Sequence, residues 1–142
     1  MIVFLSCTKK KRNYKCEAQE MYQESQWFKW CLRYAHSLNP DKVYILSAKY
    51  GLLEEEDIIE PYEKTLVSAR DNEIRKWSAM VAKQISKKGI DKNQKAVFLC
   101  GKNYRKYIKN LFPNNTAPLK HLGIGKQMAF FKEHTNEKNG IS

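Results

Sequence analysis

Three short apolar runs, at residues 2–7, 42–47 and 96–100, constrain this chain most, because each is followed by a segment of a different period. Runs this short and this rich in Ile, Val, Leu and Phe predict strands buried on both faces. After the first, Ala18, Met21, Tyr22, Ser25, Phe28, Leu32 and Ala35 recur at three- and four-residue spacing. That spacing predicts a helix over residues 17–37, stopped by Asn39-Pro40-Asp41. After the second, Ser68 can cap a helix whose stripe is Ile74, Trp77, Val81 and Ile85 and which Gly89 ends. After the third come a short helix over 103–111, an extended segment near 117–122 and a last helix over 126–133. Strands alternating with helices imply βαβ units. The expected fold is therefore α/β, a three-layer α/β/α arrangement with a mostly parallel central sheet of about four strands. Residues 1–135 are expected to form one domain and 136–142 a frayed tail.

In such a sheet the C-terminal strand ends share one rim, where α/β proteins gather ligands. That rim would collect Ser6 and Cys7, then Ser47, Lys49 and Tyr50, then Gly101 and Tyr104. The connection after Ser47 carries tyrosines, a lysine and many carboxylates before the next helix begins. It reads either as a binding loop or as an ordinary glutamate-rich surface loop.

Charge narrows the partner. The 142 residues carry a net charge of +11, which points to a polyanion, with nucleic acid the first candidate and DNA the expected form. Lysine dominates, with five arginines among 26 basic residues, so an A/T-rich genome is the competing source of the bias. Cys7, Cys16, Cys31 and Cys100 form no C-x-x-C pair, and His36, His121 and His134 have no ligand spacing. No metal is assigned and no cofactor is expected. No phosphate loop of the G-x-x-x-x-G-K-[ST] type is present, which disfavours nucleotide triphosphate hydrolysis. The apolar start, cut short by Ser6-Cys7-Thr8-Lys9, reads as a first strand, and no run is long enough to span a membrane. A cytoplasmic monomer without a membrane partner is the expectation.

Several clusters carry candidate chemistry. Ser6, Cys7 and the lysines up to Lys11 could cradle phosphates, or supply an amine nucleophile at Lys11, or be a solvated basic turn. Asp57 and Glu63 flank Pro61-Tyr62, and either carboxylate could orient water or stabilise a sugar cation. Pro61 would fix the loop so that Tyr62 stacks on a base. Tyr22 and Ser25 lie within an apolar stripe, so they either bond inside the core or line the cleft. Gly101 before Tyr104, and Gly123 and Gly125 before Lys126, put glycine ahead of a helix, where free N–H groups can hold phosphate.

The run Leu46-Ser47-Ala48-Lys49-Tyr50-Gly51-Leu52-Leu53, then Asp57-Ile58-Ile59 and Pro61-Tyr62, resembles the L-S-x-x-Y-G-x-L…D-x-I-x-P-Y signature of the YaaA peroxide-stress family. Ser6, Cys7, Lys11, Ala18, Tyr22, Ser25, Phe28, Gly101, Tyr104, Gly123 and Gly125 also match the pattern of a group of short bacterial and phage domains. Together the likeness covers residues 2–131. Cys7, Lys11, Tyr22 and Ser25 are similar, in order, to the P-C-x-x-x-K-P-Y-x-x-S-x-x-H motif of the archaeosine synthase core domain. Here Ser6 replaces the proline and Phe28 the histidine. These resemblances imply a uracil-DNA-glycosylase-like fold, nucleobase chemistry and a reactive role for Lys11. The expected function is a DNA glycosylase-like hydrolase that removes a modified or damaged base. The alternatives are a non-catalytic DNA- or nucleotide-binding module in stress response or phage defence, and a nucleobase-modifying transferase acting on RNA.

Overall fold

The first apolar run forms β1, Ile2–Ser6, and all five of its residues are buried. The computed structural model describes residues 1–139. A short strand β2, Cys16–Glu17, leads into one helical turn, α1, Ala18–Met21, and then into α2, Gln26–Ser37. Next come β3, Lys42–Ser47, β4, Gly51–Glu54, and β5, Ile58–Ile59. The remaining order is α3, Asp71–Lys87; β6, Ala96–Leu99; α4, Lys102–Arg105; a 3-10 turn at Ile108–Leu111; β7, Asn115–Thr116; and α5, Ile124–Asn139.

The central sheet has five strands in the order β4-β3-β1-β6-β7. The pairs of β1 with β3 and β6, and of β6 with β7, are parallel, and only β4 runs antiparallel, at one edge. The chain is thus mixed α/β with a mostly parallel sheet, one strand larger than expected. The extra strand is β4, which lies in what reads as a polar loop. Its own residues Leu52 and Leu53 are buried, and the glutamates that disguise it begin at its last position. The expected extended segment near 117–122 is instead β7 at Asn115–Thr116, followed by a turn.

The crossover through α2 moves one way along the sheet from β1, and the crossover through α3 moves back past β1 to β6. Right-handed connections therefore put the two helices on opposite faces. Side-chain packing agrees. The rings of Tyr44, Phe4 and Phe98, neighbours in register, stack across three strands, and Phe112 tilts onto Phe4 at 5.5 Å. On the other face α2 and α5 interlock through Trp27, Tyr34, Phe130 and Phe131.

The long helix expected over 17–37 is broken. α1 ends at Met21, and α2 starts afresh because Ser25 adopts an extended backbone and its hydroxyl accepts from the Phe28 N–H at 3.2 Å. α3 begins three residues later than Ser68, which sits in a turn, and Arg70 occupies its N-cap position. Gly89, at φ +68°, ends that helix as expected, and Asn39 at φ +53° ends α2 ahead of Pro40. The last helix is longer than 126–133. It starts at Ile124 and continues to Asn139, since no glycine or proline lies between Lys126 and Asn139. The expected tail over 136–142 is therefore helical through 139, and residues 140–142 lie outside the described residues.

Candidate functional site

Because β1, β3 and β6 are parallel, their C-terminal ends meet on one rim, as the alternation of elements predicts. At the end of β3 the Ser47 hydroxyl accepts from the N–H groups of Lys49 (3.2 Å) and Tyr50 (3.0 Å) and so shapes the turn into β4. With its lone pairs used, Ser47 donates its own proton to the Tyr62 hydroxyl at 2.8 Å. Tyr62 also shares a 2.7 Å hydrogen bond with Tyr22, which comes from the break between α1 and α2. The broken helix and the Pro61-Tyr62 turn thus meet at one buried point.

Cys7, just past β1, continues this polar cluster. Its sulfur accepts from the Ala48 N–H at 3.4 Å and lies 3.4 Å from the Tyr104 hydroxyl. The Tyr104 oxygen accepts from the Leu66 N–H at 3.2 Å, which frees its proton for Cys7. Burial, and after it the Cys7 sulfur, holds the Tyr22, Tyr62 and Tyr104 phenols above the usual phenol value. At neutral pH all three are therefore protonated donors.

Two hollows open on either side of Cys7 and Tyr104, each of about 380 Å³. The first is lined by Thr8, Lys9, Lys11, Glu63, Lys64 and Thr65 among others, and Glu63 is its one carboxylate. The Lys11 ammonium stands 4.6 Å from the centre of the Tyr62 ring and donates to the Lys9 carbonyl at 3.3 Å. The second hollow takes Ser6, Trp27, Gly101, Lys102, Arg105 and Lys120 from the other side of the rim. Trp27 is held there by its N–H bond to Gln127 at 2.7 Å.

The candidate residues separate into two sets. Ser6, Cys7, Lys11, Glu63, Gly101 and Tyr104 line the hollows, and Tyr22, Ser47 and Tyr62 form the buried network behind them. The others do different work. Asp57 is turned into the β4–β5 connection, where its carboxylate accepts from the Glu54 N–H at 2.8 Å, and it lines neither hollow. Ser25 spends its hydroxyl on capping α2. Tyr50 packs edge-on against Tyr62 at 5.6 Å and clasps the Glu60 backbone, while Lys49 leans over the Tyr50 ring at 5.2 Å. Pro61 is exposed beside this pair. Tyr62 is no free stacking platform, since Lys11 covers its ring and its hydroxyl is buried in the network.

Gly123, Gly125 and Lys126 are exposed at the start of α5, outside both hollows, and a Cβ at either glycine would meet open space. The lining also holds residues that motif reading passes over, chiefly Lys64, Thr65 and Lys120. Their only signal in sequence is position, immediately after Glu63 or beside an already suspected helix. Among the described residues no group of three or more His, Cys, Asp or Glu side chains converges to hold a metal ion. None of the described helices is long and apolar enough to cross a membrane.

A family model described as a family of unknown function, DUF6884, matches residues 2–133. The chain belongs to that family. Every lining residue named above falls within the part of this DUF6884 chain that the family model matches. No curated protein and no solved structure matches the chain.

Proposed function

We propose that this protein is a nucleic-acid enzyme that acts on a nucleobase held in the rim cleft, as a DNA glycosylase-like hydrolase. The observation that carries the reading is the first hollow, in which Lys9, Lys11 and Lys64 surround the single carboxylate Glu63 beside the hydrogen-bonding sulfur and phenol of Cys7 and Tyr104. A nucleotide needs these parts: cations for phosphate, directional polar groups for the base edge and one base to position water. The resemblance of Leu46 to Tyr62 to the YaaA signature, and the uracil-DNA-glycosylase-like fold it implies, support the same reading.

In this scheme the flipped base enters beside Cys7 and Tyr104, and the lysines hold the flanking phosphates. Glu63 orients a water toward C1′ of the sugar. The glycosidic bond breaks with its electron pair leaving on the base, water adds at C1′, and its proton passes to Glu63. With Asp57 committed to a backbone turn, Glu63 is the carboxylate that must do this work. The second route uses Lys11 as an amine that attacks C1′ as the base departs with the glycosidic electron pair. The nitrogen then loses a proton, and opening of the sugar ring at the C1′–O4′ bond leaves an iminium that borohydride reduces.

Borohydride treatment of protein mixed with damaged DNA separates the routes. A trapped adduct lost on Lys11→Ala assigns the amine route, and base release without an adduct, lost on Glu63→Gln, assigns the water route. If neither variant alters base release, the cleft is not the catalytic site. The structural use of Asp57 also favours a second reading, a non-catalytic nucleic-acid-binding module, for which base release would be absent while binding persists.

A further inference from the structure

We infer that a basic groove leaving the cleft along α3 is a track for the sugar–phosphate backbone, so the ligand is a nucleic-acid strand and not a free nucleotide. This rests on the reading of the cleft given above and extends it to the rest of the ligand. Three hollows run into one another. Lys64 lines both the first cleft hollow and a second one formed with Lys49, Glu73 and Lys76, and Lys76 and Met80 continue into a third with Lys83 and Lys87. Only one carboxylate, Glu73, lines the last two.

The helix supplies the alignment. Lys83 and Lys87 follow Lys76 by seven and eleven residues, so at about 100° per residue all three lie within about 20° of one line. At roughly 1.5 Å per residue the row is about 16 Å long, about five times the B-form axial rise of about 3.4 Å per nucleotide, so it can meet several phosphates of one strand. All three side chains are exposed, and Met80, 37% exposed, sits between them.

Like most lysines among the described residues they have no carboxylate partner, and their alignment along one helix face is what sets them apart. Lys42 and Lys88 share the Glu54 carboxylate, and Lys106 and Arg75 share that of Asp71. Among the described residues Lys76, Lys83 and Lys87 have no ion pair. A row of unpaired cations on a rigid helix, continuous with a cationic cleft, matches a linear polyanion. The helix is fixed in place by Gln84, whose amide donates to the Tyr50 carbonyl at 3.0 Å and whose oxygen accepts from the Leu52 N–H at 2.8 Å. The track is therefore rigidly held against the turn that carries Ser47 and Tyr50.

The test compares a mononucleotide with a single-stranded oligonucleotide long enough to cover α3, by fluorescence anisotropy across a salt series. The natural protein should bind the oligonucleotide more tightly. The triple variant Lys76→Gln/Lys83→Gln/Lys87→Gln should lose at least about tenfold in oligonucleotide affinity, and its salt slope should flatten by about 2, at roughly 0.7 per lost contact. Its mononucleotide affinity should stay unchanged. A Lys29→Gln/Lys132→Gln variant, altered on the α2 and α5 side, should leave the slope as it was. Equal oligonucleotide affinity and slope in the triple variant would overturn the inference, as would binding of anionic vesicles without length-dependent binding of the strand. Lys11→Ala tests the cleft separately. If it leaves mononucleotide binding intact, the cleft reading fails whatever α3 does.

Discussion

The sharpest constraint at the scale of single residues is the cluster of Cys7, Ser47, Tyr22, Tyr62 and Tyr104, which joins five chain segments through side-chain polar atoms. Each of the three phenols has a pKa raised by burial above its unfolded value of about 10. Folding therefore favours the protonated form, so this contribution to stability is whole below pH 10 and is lost as pH rises above it toward the folded values. Stability measured by chemical denaturation should fall steeply above about pH 10, and Tyr62→Phe should make the descent shallower. An unchanged slope in that variant would mean that the network does not hold these protons. Sequence reading reached all five of these residues but not the hydrogen bonds that join them. Tyr22 and Ser25 look alike within one apolar stripe, yet Tyr22 enters the cleft network while Ser25 caps a helix. The difference lies in the helix break between them, and a three- and four-residue period continues across such a break unaltered.

At the scale of elements, the Tyr50-Gly51 step decides how α3 meets the sheet. Gly51 has φ +77°, and a Cβ there would come within 2.3 Å of the Gln84 side-chain oxygen and 2.8 Å of Met80 Cε. Gly89 has φ +68° but open space around it. Gly89→Ala should therefore cost only the left-handed backbone penalty, about 1 kcal/mol, whereas Gly51→Ala should also push the Gln84 amide off the Leu52 N–H and the Tyr50 carbonyl and cost at least about 2 kcal/mol. Thermal melts should show the Gly51 variant shifted by roughly twice as much, and equal shifts would argue against the close approach. The two glycines are equally visible in sequence. What separates them is a tertiary contact with Gln84, which no local pattern encodes. The same holds for β4, whose edge pairing with β3 depends on a neighbour in space, while the buried runs β1, β3 and β6 are legible because both their faces are apolar.

At the scale of the whole molecule, the sequence fixes the sign of the charge but not its distribution. Folding pairs Lys42 and Lys88 with Glu54, and Lys106 with Asp71, and lines up Lys76, Lys83 and Lys87 on one face of α3 without carboxylate partners. The alternation of strands and helices was enough to bring Ser6, Ser47 and Gly101 to one rim. It was not enough to separate Asp57, held in a turn, from Glu63, which lines a hollow, because both flank the same Pro-Tyr pair. The central claim is that this cleft performs chemistry on a nucleobase. It is tested most directly by incubating DNA and tRNA with the protein and following free bases and nucleosides by mass spectrometry. The account predicts a free base released from DNA by the natural protein and retained with Glu63→Gln. Unchanged bases and nucleosides in both nucleic acids, from protein that still binds them, would contradict it.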